Sequence, residues 1–229
     1  MYSVFSSRLR LPGFVRRAKE AELYARPVDA EFIDACSHAM RHLGGPKLEK
    51  LGISSSLRGE GRTSVAAAMA IAQARDYGRP TLLLDADFDG PGLADRFGVP
   101  PIPGVSEVIR GRASVDKALH QVDENLTLMT AGDVGNASSR LATQLVSSGL
   151  LAELQMDYEA MIADLPALLG SPTGVLLAEA FDNPLLVLRA EVTPVSKVRE
   201  AVSSLPSQPV VMLNGTRSSL PGWLRRLFS

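Results

Sequence analysis

Apolar residues fall into short runs along this chain, and the spacing between the runs switches between two periods. Phe32, Cys36, Met40 and Leu43 recur at helical spacing after Asp29, a residue suited to an N-cap, and Gly44-Gly45-Pro46 stops the pattern. This predicts an amphipathic leading helix over 29–43. Beyond it, apolar runs of strand length alternate with helical segments: "KLGISS", a helix from about Thr63, "TLLLDA", helices through Leu93 and Val105, "LTLMTA", a helix across 139–156, "AMIADL", a helix near 173–181, "LLVLRA", a helix from Pro194, and "VVMLN". Strands this short and apolar on both faces suit a mostly parallel sheet flanked by helices, because a half-exposed sheet would alternate apolar with polar. The expected class is α/β, doubly wound.

Length and composition sharpen this little. The 229 residues suit one sizeable domain, expected over 28–217, with a basic arm at 1–27 and a tail at 218–229. A formal net charge of −1 gives no chain-wide basic field, so no nucleic-acid partner is expected. Cys36 is the single cysteine and lies on an apolar helix face, which makes it a packing thiol and points to a cytoplasmic protein. The N-terminal segment lacks the apolar core of a secretory signal, and no stretch approaches the roughly 18 apolar residues of a membrane span. Membrane contact would then be peripheral, at the inner face of the cell membrane.

The candidate chemistry lies at the ends of the predicted strands. In "SSSLRGEGRTSVAAAMAIA", Gly59 and Gly61 sit between a strand and an Ala-rich helix. Successive backbone N–H groups can turn inward there around a phosphate, at the positive end of the helix. Asp85 and Asp87 end one buried strand and Asp164 ends another, at the sheet edge where ligands of such folds bind. With the Thr63 hydroxyl, Asp85 and Asp164 supply the hard oxygen donors that Mg²⁺ prefers. His38 and His42 have metal-site spacing but no acidic or cysteine partner, and His120 stands alone, so neither a histidine metal site nor a Ser-His-Asp triad is expected.

Taken in order, "SSSLRGEGRTSVAAAMAIA", "LLLDADFDGPGLADRFG", "PGVSEVIRGRASVDKAL", "LTLMTAG", "YEAMIADLP", "LLVLRAEVTPVSKVREA" and "VVMLNG" resemble the cytoplasmic kinase domain of bacterial tyrosine kinases of the CpsD/CapB type. These belong to the ParA/MinD class of P-loop proteins, and the resemblance covers roughly residues 45–217. It implies a P-loop NTPase fold binding ATP or ADP with Mg²⁺. It implies that Gly59, Glu60, Gly61, Arg62, Thr63 and Ser64 form the Walker A loop, that Asp85 and Asp87 are the Walker A′ acids and Asp164 the Walker B acid, these three being catalytic in an active enzyme, and that Asn214 contacts adenine. It also implies a partner, a membrane-embedded polysaccharide co-polymerase or glycosyltransferase complex, and leaves homo-oligomerisation open.

The sequence departs from that pattern in several places. Arg62 stands where the family has lysine and Arg58 where it has proline; a planar guanidinium does not replace a compact ammonium between two phosphates. Leu57 replaces the second signature lysine of ParA and MinD proteins. The four tyrosines, Tyr2, Tyr24, Tyr77 and Tyr158, form no tyrosine-rich tail, and Asp34 and Ser37 follow Glu31 where the ring-assembly motif has arginines. The expected function is a regulatory or scaffold relative with impaired phosphoryl transfer, against two alternatives: an active kinase and a MinD-like positioning ATPase.

Outside the domain the chain carries nearly the same heptad twice, "LPGFVRR" at 11–17 and "LPGWLRR" at 220–226. If these segments are helical, Phe14, Trp223 and Phe228 lie on apolar faces, with Arg16, Arg17, Arg225 and Arg226 off them. Such basic amphipathic pieces suit an anionic membrane or a partner protein.

Overall fold

The computed structural model of the protein describes residues 28–181 and 184–215. Within these, strands β1 (Lys50–Ser55), β2 (Thr81–Asp85), β3 (Leu119–Asp123), β4 (Leu126–Met129), β5 (Ala160–Asp164), β6 (Leu185–Arg189) and β7 (Val210–Asn214) form one sheet in the order β3-β4-β2-β5-β1-β6-β7. Every pairing is parallel except β3 with β4, so the doubly wound, mostly parallel α/β sheet expected from the apolar runs is present.

Alternate strand residues feed two cores. On one face Leu51, Ile53, Leu83, Ile162 and Val187 meet helices α1 (Ala30–Met40) and α2 (Arg62–Tyr77). The alanines at 66, 67, 68, 70 and 72 are fully buried, and their small side chains let α2 lie close against the strands. Asp29 caps α1 by accepting from the Phe32 amide, and Ile33, Cys36 and Met40 form its buried stripe. Burial pushes the Cys36 thiol pKa up to about 12, so it acts as an apolar packing group.

On the opposite face Leu82, Leu84, Met161, Ala163, Leu186 and Leu188 pack against most of the remaining helices, whereas Leu93 and Phe97, on the short helix after β2, belong to the first core. The helices on this opposite face include α6 (Ser138–Ser147), α7 (Leu150–Asp157), α8 (Gly174–Glu179) and α9 (Val195–Ser203), which follow the short α3 (Leu93–Phe97), α4 (Val105–Ile109) and α5 (Val115–Ala118).

Two sequence expectations change. The single helix predicted across 139–156 is two, because the chain turns at Gly149, whose φ of 81° is left-handed. The antiparallel strand β3 is absent from the predicted runs, because its "LHQVD" mixes polar and apolar residues at an edge where only Val122 is fully covered. The leading helix predicted over 29–43 holds as an α-helix to Met40, with a 3₁₀ turn over Arg41–Leu43.

Candidate functional site

The strand order puts β2, β5 and β1 side by side, so the carboxyl ends of all three open into one crevice. Register does the rest: Asp85 on β2 is paired with Asp164 on β5, and Ile53 on β1 with Asp164. Neighbouring strands are about 4.8 Å apart, so this register sets two carboxylates next to each other. Asp85, Asp87 and Asp164 are all completely buried.

Burying three acids is costly unless each finds a partner, and each solves this differently. Asp85 binds backbone. Its Oδ2 accepts from the amides of Gly92 (3.1 Å) and Leu93 (3.0 Å) and its Oδ1 from that of Asp87 (3.3 Å), which fixes the loop into α3. Desolvation still outweighs those bonds, and with the nearby Asp87 it raises the Asp85 pKa to about 7. Asp87 forms an ion pair with the Arg62 guanidinium. Asp164 is the least satisfied: its one ion pair is a long contact, 3.9 Å from Arg62 Nε to Oδ1, both its oxygens lack a hydrogen-bond partner of good geometry, and burial together with the Asp85 charge raises its pKa well above the ordinary carboxylate range, offset in part by Thr63 and Arg62.

Arg62 is the first residue of α2 and is almost entirely buried. Its side chain turns down into the acids. One terminal nitrogen pairs with Asp87, the other lies 3.4 Å from the Ser55 hydroxyl, and Nε sits 3.9 Å from Asp164 Oδ1 with no hydrogen-bond partner. The hydroxyl of Ser56, the residue after β1, is also buried without a hydrogen-bond partner.

The loop above is tied down by its own residues. Gly59 and Gly61 have φ values of 84° and 95°, which let the chain turn between β1 and α2. Glu60 Oε2 accepts from the Leu57 amide (2.8 Å), and Oε1 accepts from the Thr193 hydroxyl. Asn214, the last residue of β7, donates to the Glu60 carbonyl (2.9 Å), and its side-chain amide fills the space a Cβ at Gly61 would take. Arg58 donates to the carbonyl of Asp89 (2.8 Å), joining the loop to the acid-bearing one. Arg96 donates to the Ser64 hydroxyl (2.9 Å).

The structure therefore brings Gly59, Glu60, Gly61, Arg62, Thr63, Asp85, Asp87, Asp164 and Asn214 into one place. Thr63 adjoins Asp164 and keeps with it the oxygen donors expected for Mg²⁺, whereas the Asp85 carboxylate is taken up by backbone amides. Among the described residues no three His, Cys, Asp or Glu side chains converge to hold a metal by themselves. Phe14, Arg16, Arg17, Trp223, Arg225, Arg226 and Phe228 lie outside the described residues. Sequence reading missed the closure of the loop by Glu60 and Thr193. The two are 133 positions apart, and no local pattern marks a contact made only when β1 and β6 are neighbours.

A glycine loop entering a helix at the middle of a parallel sheet, with acids ending the two adjoining strands, defines a P-loop ATPase fold of the ParA/MinD type. The MinD cell-division ATPase of Pyrococcus furiosus superposes with a TM-score of 0.62 at 21% identity, over 78% of each chain. No protein-family model matches the chain. Its homologues include bacterial tyrosine-protein kinases. It is 25% identical over 178 residues to tyrosine-protein kinase YwqD of Bacillus subtilis, covering 76% of this chain and 75% of that one. It is 29% identical over 169 residues to the succinoglycan biosynthesis transport protein ExoP of Rhizobium meliloti, covering 72% of this chain but only 21% of ExoP. Among solved structures, the VpsO kinase domain matches with a TM-score of 0.73 at 28% identity, covering 82% of this chain and 94% of that one. The chimerical protein CapA2B2 matches with a TM-score of 0.73 at 21% identity, over 87% and 88%. Among the described residues no helix is long and apolar enough to cross a membrane.

Proposed function

We propose that this protein is a regulatory or scaffold P-loop subunit of an exopolysaccharide synthesis or export system, with phosphoryl transfer impaired. One observation carries the reading: Arg62, at the place of the family's phosphate-contacting lysine, is engaged with Asp87 beneath the loop. Phosphoryl transfer is almost wholly positioning and electrostatic stabilisation, so a cation directed away from the phosphates lowers the rate by orders of magnitude. The pathway reading draws on the similarity to ExoP, a succinoglycan biosynthesis transport protein. The expected partner is a membrane-embedded polysaccharide co-polymerase or glycosyltransferase complex, at the inner face of the membrane.

ATP or ADP would lie with its phosphates over the Gly59–Thr63 amides, and Asn214 stands at the rim of that loop. Thr63 and Asp164 would hold a Mg²⁺ arriving with the nucleotide, an ion that neutralises phosphate charge when bound. An active ATP-dependent kinase is the second reading, favoured by the retention of Asp85, Asp87, Asp164 and Thr63 in one crevice. Purified protein tested for Mg-ATP binding and turnover, beside Arg62→Lys, separates the two. We expect negligible hydrolysis by the natural chain and a gain in the lysine variant. Robust hydrolysis or tyrosine phosphorylation by the natural chain would overturn the proposal.

A further inference from the structure

We propose that Arg62 is a built-in cation that occupies the charge position a divalent metal would otherwise take in this crevice, so that the nucleotide-free protein excludes the metal. The inference deepens the reading of the crevice as a P-loop site and rests on it.

Three carboxylates are fully buried at the ends of β2 and β5 and in the loop between β2 and α3. Among the described residues, Arg62 is the cation paired with two of them, Asp87 and Asp164. Its guanidinium spans the cluster, with one nitrogen on Asp87 and Nε 3.9 Å from Asp164. Asp164 is the acid whose two oxygens are buried without hydrogen-bond partners, and it adjoins the Thr63 hydroxyl. Those are the donors a hard divalent cation would use, since such ions choose carboxylate and hydroxyl oxygens and keep several waters. A fixed positive charge at this distance repels a second cation strongly, because the surroundings screen little. Glu60, held by the Leu57 amide and the Thr193 hydroxyl, ties down the loop that leads into Arg62. Removing the guanidinium charge while leaving the acids then creates a metal site.

The test is Mn²⁺ binding to the nucleotide-free full chain, read by electron paramagnetic resonance of the free ion and by the thermal midpoint in EDTA against excess Mn²⁺. The natural protein should bind no Mn²⁺ at this site and keep its midpoint. Arg62→Gln should gain affinity by about tenfold or more, the scale on which one neighbouring charge shifts an ionisation equilibrium, and its midpoint should rise with Mn²⁺. Adding Asp164→Asn to Arg62→Gln should abolish both responses. Equal binding by the natural chain and Arg62→Gln would overturn the proposal, as would a folded Arg62→Gln with no response. If Arg62→Gln does not fold, the natural chain still decides: a midpoint raised by Mn²⁺ and lost in Asp164→Asn refutes exclusion, and an unchanged midpoint supports it. ATP turnover by the natural chain would refute the impaired-transfer reading without altering these Mn²⁺ outcomes.

Discussion

Arg62 and its acids tie stability to charge at the level of single residues. A buried charge left without its partner typically destabilises a fold by about 3–5 kcal/mol. Arg62→Ala should approach that loss, and Arg62→Ala with Asp87→Asn should recover part of it, as urea unfolding would show. The acids also set a pH dependence. An unfolded aspartate releases its proton near pH 4, whereas Asp85 in the fold holds its own to about pH 7. Between those values the folded state binds more protons than the unfolded one, so stability falls as pH rises and levels off above about 7. Asp164 is raised in the same sense and extends the decline. Urea midpoints should therefore be higher at pH 5 than at pH 8, and Asp164→Asn should flatten the difference; a midpoint that rises with pH contradicts this account. The sequence shows arginine at position 62, where the family it resembles carries lysine. The direction in which it turns depended on Asp87, 25 positions away, lying under it in the fold.

At the scale of elements, what was legible had a local cause. The buried parallel strands announce themselves by apolar runs, and the acids that end β2 and β5 stand at the ends of those runs. Strand β3 gave no such sign because an edge strand covered on one side need not be apolar. Strand β1 shows how closely the elements fit. A Cβ at Gly52 would lie 2.7 Å from Leu165 Cδ1 and 2.9 Å from the Phe181 ring, so glycine here is required by the approach of two buried side chains. Gly52→Ala should destabilise the protein by about 1–3 kcal/mol through overpacking. Because β1 leads directly into the glycine loop proposed to hold phosphate, the same substitution should also weaken any nucleotide binding; a variant with unchanged thermal midpoint would show that Leu165 and Phe181 give way freely.

Across the whole molecule, the two sheet edges are unlike. At one end β3 turns back antiparallel on β4. At the other, β7 leaves Val211 and Leu213 about half exposed, and Val192 and Val195 ahead of it are more exposed still. This is the end from which the chain runs on toward the second basic heptad. We propose that the two heptads act together on an anionic membrane surface, because each offers only a few apolar side chains and one alone is a weak anchor. Four arginines, Arg16, Arg17, Arg225 and Arg226, add attraction worth about 1 kcal/mol each near such a surface, and salt screens it. The full chain should then co-sediment with phosphatidylserine-containing vesicles at low salt and much less at high salt. Phe14→Ser and Trp223→Ser should each reduce pelleting, and together nearly abolish it, without changing the thermal midpoint. Equal, negligible pelleting of all four proteins would exclude lipid and leave the heptads as contacts for a partner protein, since tryptophan and arginine are the side chains that most often anchor such interfaces.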